Sequence, residues 1–344
     1  MPSPEARVLY IDRDARQLKR IGRVISPVVA QCTLKGDLSE LPPDDSVELI
    51  VVNYDSLQKE ERARLVREFS TRFERTRLLV LSDGTLREEL TGLLSSHVLT
   101  NLLACDQIDA SGLIVTIQKI LRRDIFGIEK YFVWGIEPVR TQINHSNHKQ
   151  ALLDQGQAYA ERVGMSSRAT KLFVSVIEEF VTNAIFNAPT DRAGKPRFAH
   201  LARNREVCLD AGEEISIQFC SDGQQIGVSV SDPFGSLSED RILDYLAKCL
   251  RRGEDQIDTK DGGAGLGLYY AFDALSHFVV NLQPGVRTEM LGFIDFTDSF
   301  RDLAKKAKSF NIFVNRDGAV TAEHRIQAAL SDSSRTQQTQ KGVL

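Results

Sequence analysis

The chain has 344 residues, enough for two ordinary domains each with its own core, and its 42 % hydrophobic content is that of a globular protein. Its 43 basic and 47 acidic residues leave a net charge of -4, which gives no general electrostatic argument for nucleic acid or an anionic membrane as a partner. No apolar run approaches the length of a membrane span, and Met1-Pro-Ser-Pro-Glu-Ala-Arg7 lacks the hydrophobic centre of a signal peptide.

Residues 7–123 alternate between strand and helix patterns. Short apolar runs predict strands at 7–11, 28–34, 47–53, 77–82 and 98–104, and helical periodicity falls at 14–25, 56–71, 86–95 and 110–122. Such alternation implies a parallel sheet covered on both faces, and five units predict the flavodoxin-like order with any site at the C-terminal ends of the strands. This α/β half, residues 1–125, resembles a two-component receiver domain. The resemblance implies an acidic cluster for Mg²⁺, a phosphoacceptor Asp after the third strand, a Ser or Thr after the fourth and a Lys after the fifth. Asp12-Arg13-Asp14 keeps the acid but interrupts it with a positive charge, and the phosphoacceptor position falls on Asn53, whose carboxamide cannot form an acyl phosphate. Ser82 fits its place, while the lysine position falls near Ala104-Cys105. The expectation is a pseudo-receiver that docks partners or dimerises without being phosphorylated. A register two residues later offers Asp55 and leaves open a degenerate receiver that is still phosphorylated.

From 126 to 149 the pattern loosens into a linker. Phe126, Tyr131, Phe132 and Trp134 cluster around Gly127 and Gly135, as in a packed connector. His145 and His148 lack nearby Cys or acidic ligands for a metal, and lack the acidic residue and long helix pair of a phosphoaccepting histidine, so they read as a solvated helix start.

The chemistry is concentrated beyond residue 150. Leu172, Phe173, Val176, Ile177, Phe180, Val181, Ala184 and Ile185 recur at helical spacing and predict a helix over 168–188. Ser175, Glu179, Asn183 and Asn187 follow one another at every fourth position, a polar line beside the buried stripe. A carboxylate one turn before a carboxamide can place a base near an oxygen ligand for Mg²⁺. Pro189 to Pro196 is turn chemistry that closes this helix, and the segment to 213 reads as irregular with a short strand. Alternation at 215–219 and 226–230 around Cys220-Ser-Asp-Gly-Gln224 predicts a hairpin, which ends in Asp232-Pro-Phe-Gly235. A carboxylate there could accept the exocyclic amine of adenine while the ring slides close to the glycine backbone. A helix follows at 241–251, then the charged run 251–261, which reads as a lid. Gly262, Gly263, Gly265 and Gly267 then open a helical stretch at 268–275, so free backbone N–H groups can meet an anion. Neither the P-loop pattern nor the dinucleotide fingerprint fits these glycines. A last hairpin is predicted from 276–282 and 288–296, a helix at 298–308 and a disordered tail around 331–340.

Glu179-x-x-x-Asn183, Asp232-x-x-Gly235 and Gly263-x-Gly265-x-Gly267, in that order, resemble the N box and two glycine boxes of the GHKL ATPases, the gyrase, heat-shock chaperone, histidine kinase and mismatch-repair group. The resemblance spans about 150–297 and is closest to the anti-sigma-factor serine kinase branch, where a helix like 148–163 also precedes the N-box helix. It implies an α+β sandwich with helices on one face, binding ATP with Mg²⁺. Glu179 would be the general base, Asn183 the Mg²⁺ ligand, Asp232 with Gly235 the adenine site, and the backbone of Gly263, Gly265, Leu266 and Gly267 the phosphate cradle. Thr288 matches a late nucleotide-contacting threonine, and Asn187 stands where relatives often carry a basic residue, which weakens any phosphate contact there. The implied function is that of a cytoplasmic signalling protein that phosphorylates a Ser or Thr of an antagonist and holds a sigma-like factor or another target, and either domain could form a homodimer though no seam is legible. A non-catalytic nucleotide-gated switch and an atypical histidine kinase are the alternatives. The five scattered cysteines, without a Cys-x-x-Cys pair, fit a reducing cytoplasm and give no disulfide framework or zinc site.

Overall fold

The computed structural model describes residues 6–43, 45–84, 87–104, 110–191, 193–250, 271–296 and 307–316. Its first part runs β1 (Arg7–Ile11), α1 (Ala15–Ile25), β2 (Gln31–Lys35), β3 (Leu49–Asn53), α2 (Lys59–Thr71), β4 (Arg77–Ser82), α3 (Arg87–Ser95), β5 (Asn101–Ala104) and α4 (Ala110–Arg122). The five strands are parallel in the order β2-β1-β3-β4-β5, as the alternation predicts. Local chemistry starts the helices: Asp14 accepts the N–H groups of Arg16 and Gln17 ahead of α1, and Gln58 and Glu61 cap α2 reciprocally. One face of this sheet is covered by α1 and α4, packed on Val8, Val51, Leu79 and Leu103.

The second part runs β6 (Val139–Ile143), α5 (Lys149–Arg162), α6 (Ser167–Thr182), a π-helical turn (Asn183–Asn187), β7 (Ile215–Ser221), β8 (Gln225–Asp232), α7 (Glu239–Leu250), β9 (His277–Gln283), β10 (Arg287–Asp295) and β11 (Ser309–Val314). Both predicted hairpins are present, β7 with β8 and β9 with β10. Leu152, Phe173, Phe180, Ile242 and Leu246 cover one face of these strands and belong to the same buried cluster as Leu65, Leu90 and Leu94 of α2 and α3.

Two strands lie where the sequence predicts none. β6 falls in the 126–149 segment read as a linker and pairs antiparallel with β7 at the sheet edge. It was illegible because only Ile143 of its five residues is buried, so no apolar alternation marks it. β11 falls in the 298–344 segment read as a helix and tail. It pairs parallel with β9 and antiparallel with β5, joining both parts into one eleven-stranded sheet, β2-β1-β3-β4-β5-β11-β9-β10-β8-β7-β6. Residues 298–306 of the predicted helix, and the tail at 331–340, lie outside the described residues, and 307–308 are not helical. The junction is stitched by side chains: Asn311 Nδ2 on β11 donates to Asn101 Oδ1 on β5 (3.1 Å), and Asn311 Oδ1 lies 2.6 Å from His277 Nε2 on β9. Burial drives the His277 pKa down to about 4, so the ring is neutral and can donate this hydrogen bond.

The connector packs as its aromatics predict. Ile128 and Phe132 bury against Phe293 and Val279 on the face away from α6, whereas Trp134 is 98 % exposed. The fully buried Glu289 accepts from Ser229 Oγ, Asn281 Nδ2 and the Gly127 N–H, which ties the connector to the middle of the sheet. His145 caps a short turn before α5, its Nδ1 accepting from Asn147 N–H, as a solvated helix start should.

Candidate functional site

The stripe of α6 buries Phe173, Val176, Ile177, Phe180 and Val181, and that fixes which way its polar line points. At Asn183 the helix widens into a π turn, closed by Ala188 N–H donating to Asn183 O at 3.0 Å. Such turns are rare and cluster at functional sites. Three members of the line are hydrogen-bonded in series. Asn183 Nδ2 donates to Glu179 Oε1 (2.8 Å), and Asn187 Nδ2 donates to Asn183 Oδ1 (2.6 Å). Ser175 stands apart, donating to Lys171 O. Partial burial pushes the Glu179 pKa up, opposed by the Asn183 hydrogen bond and then by the charge of Arg203. A carboxylate so placed is a better base than one in water.

Asp232 ends β8 directly opposite Thr288 of β10. Its Oδ1 accepts from Phe234 N–H (2.9 Å) and Gly235 N–H (3.3 Å), yet burial raises its pKa to about 7. The Thr288 hydroxyl stands near enough to favour the charged carboxylate, but it is buried without a well-formed hydrogen bond. Gly235 is required by its own backbone. Its φ is +56°, and a Cβ would fall 2.3 Å from Gln283 O and 2.5 Å from Val286 N. The Gly285 N–H donates to Gly235 O at 2.9 Å, so this glycine seats the loop on the β9–β10 turn.

Asn183, Asn187, Asp232 and Thr288, distant in sequence, line one cavity of about 270 Å³. Its walls are mainly apolar, including Phe180, Val230, Ile242, Phe278 and Met290. An apolar slot with a few convergent polar groups is the usual form of a small-molecule site. Glu179 is one turn before Asn183 and does not itself line the cavity. Gly263, Gly265, Leu266 and Gly267, the predicted phosphate loop, lie outside the described residues, as does 251–262 of the predicted lid. α7, on the near side of that lid, supplies Arg241, Ile242 and Tyr245 to the wall. α7 also packs against α3 of the first part, where His97 Nδ1 approaches Asp240 (3.1 Å) and Nε2 approaches Asp244 (3.5 Å).

Among the described residues, no three His, Cys, Asp or Glu side chains gather to hold a metal. Asn183 Oδ1 is a hard oxygen donor, and one such ligand suits a Mg²⁺ whose shell is otherwise water and phosphate. The unsatisfied Thr288 hydroxyl and the buried Asp232 carboxyl likewise suit a ligand with paired donor and acceptor edges, such as adenine.

At the C-terminal ends of β1, β3 and β4 a second polar group assembles. Asn53 Nδ2 donates to the buried Asp12 (2.9 Å), which also accepts from Tyr10 Oη (2.7 Å), while Arg13 turns away to Glu61 (2.9 Å). Asp55 accepts from Ser82 Oγ (2.8 Å) and from Asp83 N–H, and burial raises its pKa. Asn53 is therefore tied to Asp12, and Asp55 to Ser82 at the end of β4 and Asp83 just after it.

No model of a known protein family matches the chain, and no curated protein matches it.

Sequence reasoning missed Arg203, Arg241, Tyr245 and Ser236. Ser236 Oγ donates to Ala188 O (2.8 Å) and ties the loop after Asp232 to the π turn. Arg203 and Ser236 belong to no periodic pattern, and Arg241 and Tyr245 lie on the helix predicted at 241–251 with nothing local to mark them as lining a cavity.

Proposed function

We propose that this protein binds ATP with Mg²⁺ in the cavity beside α6 and transfers the terminal phosphoryl group to a Ser or Thr hydroxyl of a partner protein. The observation that carries the reading is the convergence of Asn183, Asn187, Asp232 and Thr288 on one apolar slot. Asp232 and Thr288 would read the adenine edge, with Phe180, Val230 and Met290 against the ring faces. Asn183 Oδ1 would be the protein ligand of Mg²⁺, which would supply positive charge to neutralise the phosphates. Glu179, hydrogen-bonded to Asn183, takes the proton of the incoming hydroxyl as the new O–P bond forms and ADP leaves. The partner would be of the antagonist or sigma-like kind, and the setting the cytoplasm.

One contact favours a second reading, a switch that holds nucleotide without turning it over. α7 forms part of the cavity wall and also packs on α3, so nucleotide occupancy would be felt in the receiver-like part.

Titration calorimetry of Mg-ATP into wild type, Asn183→Ala and Asp232→Ala tests both, with turnover assayed on the same samples. Each substitution should weaken binding by about 1–3 kcal/mol, and Glu179→Ala should abolish turnover while binding persists. Binding by wild type without turnover would favour the switch. No binding by wild type would remove the nucleotide reading altogether.

A further inference from the structure

The polar line along α6 ends on a residue outside every motif. Arg203 Nη2 donates to Asn187 Oδ1 at 2.9 Å, and the guanidinium lies over the Phe186 ring, 4.9 Å from its centroid. An arginine only donates and an ionised carboxylate only accepts, so the two ends of the series set its direction. Asn187 must present its oxygen to Arg203 and its amide to Asn183, and Asn183 must present its amide to Glu179.

We propose that Arg203 is a phosphate-binding cation of the nucleotide site, supplied from the 189–214 loop. This rests on the ATP reading of the cavity and deepens it. Asn187 lines the cavity, and its hydrogen-bond partner Arg203 is exposed and lies outside the lining itself. Among the described residues that hydrogen bond uses one of the five guanidinium N–H groups, and no carboxylate forms a salt bridge with it. The Phe186 ring holds the guanidinium plane, which leaves the remaining fork for the paired oxygens of a phosphate. Charge balance calls for such a group. Asp232 is acidic, and among the described residues lining the cavity Arg241 is the one cation, with Arg203 one hydrogen bond beyond Asn187.

The test compares affinities of the full-length protein for Mg-ATP and for adenosine in wild type, Arg203→Gln, Arg203→Lys and Arg241→Gln. Arg203→Gln should lose about tenfold or more in Mg-ATP affinity while adenosine affinity stays within about twofold. The salt dependence of Mg-ATP binding should flatten with it, and Arg203→Lys should recover part of the loss. Unchanged Mg-ATP affinity in Arg203→Gln overturns the assignment while the ATP reading stands. So does an equal loss for adenosine and Mg-ATP, which marks a merely structural role, or a loss confined to Arg241→Gln. Failure of wild type to bind either ligand removes the ATP reading, and this assignment with it.

Discussion

Asp232 is buried at a cost to the ligand-free protein. Burial holds its carboxyl near pH 7 against an ordinary value of 3.8, despite two backbone N–H donors. Because the folded pKa lies above the unfolded one, the folded state keeps this proton longer, and the stability of the ligand-free protein falls as pH rises from about 4 to 7. Across that window the ionisation costs on the order of 4 kcal/mol. Asp232→Asn keeps an oxygen for Phe234 and Gly235 but removes the ionisation. It should lose less stability than wild type between pH 4 and 7 in urea unfolding, while weakening the proposed adenine contact. Parallel stability profiles in the two proteins would show that the buried carboxyl does not ionise at a cost. Gly235 is the complementary case at this scale: no chemistry, only a backbone that tolerates no Cβ so close to Gln283 and Val286.

At the scale of elements, α6 and β11 contrast. α6 is self-describing: its apolar stripe and its i, i+4 polar line are both local, and a capping Ser166 accepts from Ala169 N–H. Even so, its last turn is π rather than α, and Ala184, Ile185 and Phe186 in that turn are all buried. β11 depends on distant strands. Phe310 and Ile312 fill one face of the sheet, Phe313 the other, and Asn311 bridges the neighbours on both sides. Asn311→Ala leaves the buried Asn101 carboxamide and the His277 ring without that partner. The expected cost is about 1–3 kcal/mol in chemical denaturation, with the fold retained. A cost near zero would mean that water replaces the amide at the seam.

For the whole molecule, β11 turns two neighbouring sheets into one. With it in place the edges of β5 and β9 are covered, and the cluster that contains Leu90 and Leu94 is continuous with Leu246 and Ile312. Calorimetric unfolding of the full chain should therefore show one dominant transition. Ending the chain at residue 308 exposes two unpaired strand edges, and that protein should either melt in two steps or self-associate. A truncated chain that melts once, at the original temperature, would show that the two parts need no shared strand.

The sequence by itself determined what depends on neighbours a few residues away. The parallel α/β pattern of 7–122, the amphipathic α6 with Glu179, Asn183 and Asn187 on one line, the β7–β8 hairpin and Asp232 at its end were all legible as periodicity or turn chemistry. Tertiary structure decided what depends on residues far apart. β11 meets a partner 210 positions away through Asn101, and β6 is a polar edge strand whose only cue is the strand beside it. It alone brings Thr288 against Asp232 and carries Arg203 to Asn187. Period and turn residues are written into the local sequence, whereas a strand's place in a sheet and a side chain's place at a rim follow from which surfaces are left to be buried once the local elements exist.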